Sequence, residues 1–159
     1  MPLRTLFCRI RTAAKTRKLA QTLFPGEKWV KVEPHIRVAV SRMDERTREP
    51  DKWEREMSQA RILTNRGSVA YFLPERTVKG PNATLCADMV LDGVVTEMKT
   101  VSGSRVTLGT EFRFAHKQGA VLVAGHSKFE NTGELYSWTY DELRALIDKK
   151  GEPKNHPAL

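Results

Sequence analysis

The chain has 159 residues, of which 40% are hydrophobic and 29% charged, with a formal net charge of +8 and two cysteines. That length supports one domain with a sizeable core but not two, and the composition is that of a soluble globular protein. No apolar run approaches a membrane span. Cys8 and Cys86 supply neither a disulfide framework nor a zinc-ligand set, which fits a reducing, cytoplasmic site of action.

The charge is unevenly placed. Residues 1–48 hold 12 Lys/Arg against 4 Asp/Glu, whereas residues 49–159 hold 15 of each. Up to Phe24 there are six basic residues and no acid. Such a segment attracts polyanions with salt-sensitive affinity, as a nucleic-acid-binding element does. Arg-rich, acid-free N-termini also mark organelle transit peptides and helices that lie on anionic membranes. A signal peptide is disfavoured, because Arg4, Arg9 and Arg11 interrupt any apolar stretch.

In chain order, Leu3, Phe7, Ile10 and Ala14 follow helical spacing and predict a helix over 3–23, ended by Pro25-Gly26. Trp29 to Val40 alternates in part and suggests a strand broken at Pro34. Residues 42–51 read as a polar linker, so residues 1–49 form a basic N-terminal extension and the core domain covers 50–150, with a tail at 151–159. A helix is expected from Asp51 to about Asn65, with Met57, Ala60, Ile62 and Leu63 inward, and a strand over Ser68–Leu73. Residues 74–84 are a loop.

Two short apolar runs then flank Asp92-Gly93, the composition of a two-residue hairpin turn in which both positions need positive φ. With that turn, Leu91 pairs with Val94, Val90 with Val95 and Met89 with Thr96, which sets Asp88 opposite Glu97. Side chains alternate along a strand, so Asp88, Glu97 and Lys99 share one face. Two opposed carboxylates repel unless something compensates, and a divalent cation does so through oxygen ligands. Lys99 on the same face could hold a water or offset charge growing on a phosphate, so metal, water and cation would meet in one place. An isolated pattern of this length also arises on a wet hairpin face, where Glu97–Lys99 would be a surface pair.

A helix at about 109–118, a buried strand at 120–124, a last strand at 135–138 and a helix capped by Thr139-x-x-Glu142 complete the order. It predicts an α/β fold with a mixed central sheet flanked by helices.

With those residues in those places, the chain resembles the restriction-endonuclease-like PD-(D/E)xK nucleases. More narrowly, it resembles the C-terminal tRNA nuclease domain of bacterial contact-dependent growth-inhibition toxins. The likeness rests on Glu56-x-x-x-Ala60, Gly67, Leu73-Pro74-Glu75, Ala87-Asp88, Asp92-Gly93, Glu97-Met98-Lys99-Thr100-Val101-Ser102-Gly103 and His116-Lys117-Gln118, with Ala87 standing where the motif's name has proline. It implies a restriction-endonuclease-like sheet and an endonuclease using Mg²⁺ or Mn²⁺. Asp88 and Glu97 would be metal ligands, Lys99 the catalytic lysine, and Glu56 a support for the metal or a water. Lys117 or Gln118 would face the phosphate. Ser102 and Glu75 are substrate-side candidates, Ser102 as a donor near Lys99 and Glu75 as a residue that either lines the site or simply follows the loop proline Pro74.

The favoured substrate is RNA, tRNA in particular, on the resemblance alone. A DNA endonuclease or repair nuclease is the alternative on the same fold. Outside that class stands a basic nucleic-acid-binding module whose hairpin charges are inert. The resemblance further implies a cognate immunity or inhibitor protein and delivery as a toxin; a phage-borne or free-standing nuclease is an equal expectation.

Overall fold

The computed structural model describes residues 3–75, 87–101, 113–114, 120–126 and 136–138. In order, the elements are α1 (Leu3–Leu23), β1 (Trp29–Glu33), β2 (Ile36–Ala39), a 3₁₀ turn (Val40–Arg42), α2 (Glu45–Arg48), α3 (Pro50–Asn65), β3 (Ala70–Phe72), β4 (Met89–Leu91), β5 (Val94–Val101), β6 (Val121–His126) and β7 (Tyr136–Trp138). Arg113 and Phe114 are helical. The strands form one mixed sheet of seven in sequential order. β2 runs parallel to β3 and β5 parallel to β6, and the other neighbours are antiparallel. The expected α/β class and flanked mixed sheet are therefore present. The helices expected over 109–118 and 139–150 and the tail at 151–159 lie almost wholly outside the described residues.

Each helix covers a different face. Trp53, Met57, Ala60 and Leu63 of α3 pack with Ile36, Val38, Ala70, Phe72, Met89 and Met98. Ala20 and Phe24, in and just after α1, pack with Val69, Tyr71, Leu73 and Val90, and Ala13, Leu19 and Leu23 adjoin them. The alternation along β3 explains the split, since Ala70 and Phe72 point to one helix and Val69, Tyr71 and Leu73 to the other. Ala70, Phe72 and Leu73 are completely buried, as suits a strand sandwiched between layers.

Local chemistry sets the ends of α3. Pro50 occupies its first turn, where no amide partner is lost. At the other end Gly67 has φ +109°, its amide donates to Thr64 O at 3.1 Å and the Ser68 amide donates to Leu63 O at 3.1 Å. This is a Schellman closure, which the left-handed glycine permits. Arg9 Nη2 of α1 adds a bond to Thr64 O at 3.0 Å.

Two expectations are corrected. The core does not begin near Pro50, because β1 and β2 are strands of the same sheet and α1 supplies the core on one of its faces. Residues 3–49 are thus part of the folded body. Nor are residues 42–51 a linker, since Arg42 and Glu45 are 3% and 0% exposed. Opposite charges three residues apart neutralise each other, and so a segment of polar composition enters the interior.

Candidate active site

The β4–β5 hairpin has the expected register: Leu91 pairs with Val94, Val90 with Val95 and Met89 with Thr96. Asp92 and Gly93 have φ of +52° and +78°, the mirror-image turn that matches strand twist. Asp92 also ties the turn to its neighbour. Its Oδ1 accepts the Val69 amide at 2.8 Å, while its own amide donates to Val69 O at 3.0 Å.

At the open end of the hairpin, Asp88 immediately precedes β4. Its Oδ2 accepts the Met98 amide at 2.7 Å, so the carboxylate is anchored on β5. Its carbonyl accepts the Leu73 amide at 2.9 Å. Glu97 is buried, with Oε1 3.0 Å from Lys99 Nζ and Oε2 sealed from solvent with no hydrogen-bond partner among the described residues. Burial pushes the Glu97 carboxyl up to about 7, the Asp88 charge adds to the rise, and Lys99 opposes it. Asp88 is raised as well, by burial first, against the pull of Arg42 and Lys99. A buried and a half-buried carboxylate that each resist ionisation, the buried one with an orphaned oxygen, form a donor set suited to a hard divalent cation.

Of the two glutamates at the start of α3, Glu56 is the inward one. Its side chain is 13% exposed against 62% for Glu54, which Arg61 holds at the surface at 2.6 Å. Burial raises Glu56 to about 7 against the attraction of Arg42, and Asp88 and Glu45 raise it further. Glu56 therefore shares the electrostatic environment of Asp88. It is held by Arg42 Nη2 at 2.6 Å.

Arg42 is the residue that sequence reasoning missed. Its Nε donates to Glu45 Oε2 at 2.7 Å, and its Nη1 to Leu73 O at 3.2 Å and Asp88 O at 3.0 Å. Its guanidinium stands 5.3 Å from the Phe72 ring centre. One planar cation thus joins α2, α3, the end of β3 and the main chain of Asp88, a role suited to arginine's fixed fork of donors. The only local signal was the Arg42–Glu45 spacing.

Glu75 follows β3 and is bound by Lys52 Nζ at 2.5 Å and Arg48 Nη2 at 3.0 Å. Lys52 holds it well below the ordinary carboxylate range. Oxygens of Glu45, Glu49 and Glu75 lie within 4.8 Å of one another, yet Lys52 Nζ is 2.7 Å from Glu45 and 3.9 Å from Glu49. The ammonium already does there what a metal would do. Ser102, Lys117 and Gln118 lie outside the described residues.

Asp88, Glu97 and Lys99 accordingly meet at the open end of the hairpin, and Glu56 approaches Asp88 from α3 beside the shared Arg42. No family model matches the chain, and no curated protein or solved structure is similar to it.

Proposed function

We propose that the chain is a metal-dependent endonuclease that hydrolyses phosphodiester bonds in nucleic acid, with Asp88 and Glu97 as the ligands of a Mg²⁺ or Mn²⁺ ion. The observation that carries this reading is the buried, unpartnered Oε2 of Glu97 beside Asp88, with Lys99 Nζ 3.0 Å from the other oxygen. When bound, a divalent ion supplies Lewis acidity toward a phosphoryl oxygen and makes a water nucleophilic at neutral pH. Met98 orients the Asp88 carboxylate through its amide. Lys99 leans on Glu97 in the free protein and is placed to offset negative charge on a phosphate. Glu56, with a carboxyl near 7, can hold or release a proton at a water hydrogen-bonded to it.

The element order supports the finer fold reading. A helix, an antiparallel three-strand meander (β3–β4–β5) and a further strand parallel to the last of them is the order expected of a restriction-endonuclease-like core. RNA, and tRNA in particular, is proposed as the substrate on the sequence resemblance, as are a toxin role and an inhibitor protein in the producing cell. The second reading is a non-catalytic nucleic-acid-binding module. The excess of basic residues before residue 49 and the closed Lys99–Glu97 pair favour it.

Side-by-side digestion of tRNA, duplex DNA and single-stranded DNA with Mg²⁺ separates these readings. Cleavage that EDTA abolishes, with tRNA cut in preference, is the expected result. Absence of cleavage of all three, or cleavage that persists in EDTA, would overturn the metal-nuclease reading.

A further inference from the structure

A cleft of about 490 Å³ opens between α1 and the β1–β2 edge of the sheet, and its lining includes Arg17, Lys31, His35 and Arg37 but, among the described residues, no carboxylate. We infer that this cleft is a second nucleic-acid contact, which grips the phosphodiester backbone of the strand away from the carboxylate site. The choice of nucleic acid among polyanions rests on the nuclease reading.

The cations of this cleft stand apart from the ion-paired cations of the fold. Arg42, Arg48, Lys52, Arg61 and Lys99 are each held by a carboxylate of the chain. Arg17, Lys31 and Arg37 are held by none among the described residues, and Arg37 instead lies over the Tyr71 ring at 6.0 Å. Tyr71 is buried and packs against Trp29 with ring centres 5.9 Å apart, so the Arg37 guanidinium rests on a fixed floor. Converging cations without counter-charges repel one another, and a polyanion relieves that repulsion while releasing its own counterions. His35 registers the field. Its imidazole is held below its ordinary value by partial burial and then by the charges of Arg9 and Lys31.

The sheet register relates this cleft to the carboxylates. Lys31 pairs with Arg37, Arg37 with Tyr71, Tyr71 with Val90 and Val90 with Val95. Paired residues share a face, so this row crosses five strands on one side of the sheet. Glu97 and Lys99 follow Val95 on that same face by alternation. From Arg37 to β5 is three strand spacings, about 14 Å. α1 crosses the face between the two places, and its exposed residues include Arg11, Lys15, Arg17 and Lys18. A strand leaving the carboxylates therefore meets basic surface over the helix before it reaches the cleft.

The test is an anisotropy titration of labelled tRNA and labelled single-stranded DNA with the full chain in EDTA, where no cleavage occurs, over a series of salt concentrations. Arg17→Ala/Lys31→Ala should weaken binding at least tenfold at about 0.15 M salt and lower the slope of log K against log salt by roughly two. Adding Arg37→Ala should lower both further, and Arg61→Ala, already paired at the surface, should change neither. The double variant avoids the residue stacked on Tyr71, and its melting temperature should match that of the parent. Unchanged affinity and slope in a natively melting double variant would overturn the proposal. So would cleft-dependent binding to anionic phospholipid vesicles without binding to either nucleic acid. Cleavage by the parent chain with Mg²⁺ is scored separately. Binding without cleavage sinks the nuclease reading and leaves the cleft, whereas cleavage with an unaltered salt slope in the double variant sinks the cleft alone.

Discussion

Arg42 Nη1 donates to the backbone carbonyl of Asp88 at 3.0 Å, across 46 positions of sequence. The same guanidinium holds Glu45 and Glu56, so the candidate ligand, the acid on α3 and the buried acid of α2 share a single cation. Replacing Arg42 with Leu leaves Glu56 buried without its counter-charge and Glu45 with Lys52 alone. The expected loss is about 3–5 kcal/mol, read from urea unfolding. Arg42→Lys should not restore it, because a point donor cannot serve acceptors spread over three directions. Arg61→Ala breaks only half-exposed pairs with Glu33 and Glu54 and should lose less than about 1 kcal/mol. Equal losses in the Arg42→Leu and Arg61→Ala variants would contradict the assigned role of Arg42.

Glu97→Gln, Asp88→Asn and Lys99→Met should each lower cleavage by about 10²-fold or more. Glu97→Gln should do so without loss of stability, because it removes a buried carboxylate whose ionised form is disfavoured by burial and by Asp88. The pairing of lost cleavage with an unchanged or raised melting temperature is the signature to look for. Full activity in Glu97→Gln would remove that residue from the site.

The pH dependence of stability follows from the same crowding. Glu56 and Glu97 are both pushed up to about 7 from 4.5. Glu45, Asp88, Arg42 and Lys52 face Glu56, and Asp88 and Lys99 face Glu97. A carboxyl whose folded value lies above its unfolded value contributes stability that is complete below about pH 4.5 and lost as pH rises through about 7. Glu54 and Glu75 are shifted the other way, by Arg61 and Lys52 respectively, and act only at lower pH. Metal-free protein should therefore lose on the order of 2 kcal/mol between about pH 5 and pH 8. Millimolar Mg²⁺ should restore most of that at pH 8 and little at pH 5. A flat profile in EDTA, or an equal Mg²⁺ effect at both pH values, would argue against a metal at these carboxylates.

The hairpin turn offers a test of register. Gly93→Ala forces a side chain into φ +78° and drives its Cβ to 2.7 Å from carbons of the Lys15 side chain. Lys15 is flexible and can withdraw, so backbone strain of about 1 kcal/mol should dominate. Asp92→Ala forfeits the bond to the Val69 amide as well and should lose about 2 kcal/mol. Thermal melts of the two variants compare these directly. A greater loss for Gly93→Ala would mean that the Asp92 bond matters little.

Truncation before residue 25 should unfold the protein rather than merely weaken its binding. Ala20 and Phe24 are 0% and 4% exposed, and they cover Val69, Tyr71, Leu73 and Val90. Loss of near-ultraviolet circular dichroism in the truncated chain is the expected outcome. A cooperative melt like that of the parent would show that α1 is dispensable.

What could be read from the chain was local. Asp92-Gly93 set the register of β4 and β5, because both residues of such a turn must accept positive φ and few pairs do so cheaply. That turn alone was enough to bring Asp88 beside Glu97. That Glu56 and not Glu54 turns inward depends on Arg42, which reaches α3 from outside the helix, so the helix sequence does not announce it. Arg42 and Glu45 looked solvated because a polar run between two elements reads as a connection. Their burial follows from contacts with Leu73 and Asp88, 31 and 46 positions away from Arg42. The parallel pairing of β2 with β3 was likewise invisible, because nothing in either strand names a partner across an intervening helix.

One consequence of α1 reaches beyond stability. One side of it closes a core and the other carries surface cations, so both properties travel on the same 21 residues. Selection cannot shed the charge by shortening the chain, and a protease that clips this helix yields an inert fragment instead of a freed one. The helix's share of the affinity for a polyanion is then adjustable only by exchanging outward residues such as Arg11, Lys15 and Lys18 one at a time. Homologues should accordingly vary at those positions while keeping the helix.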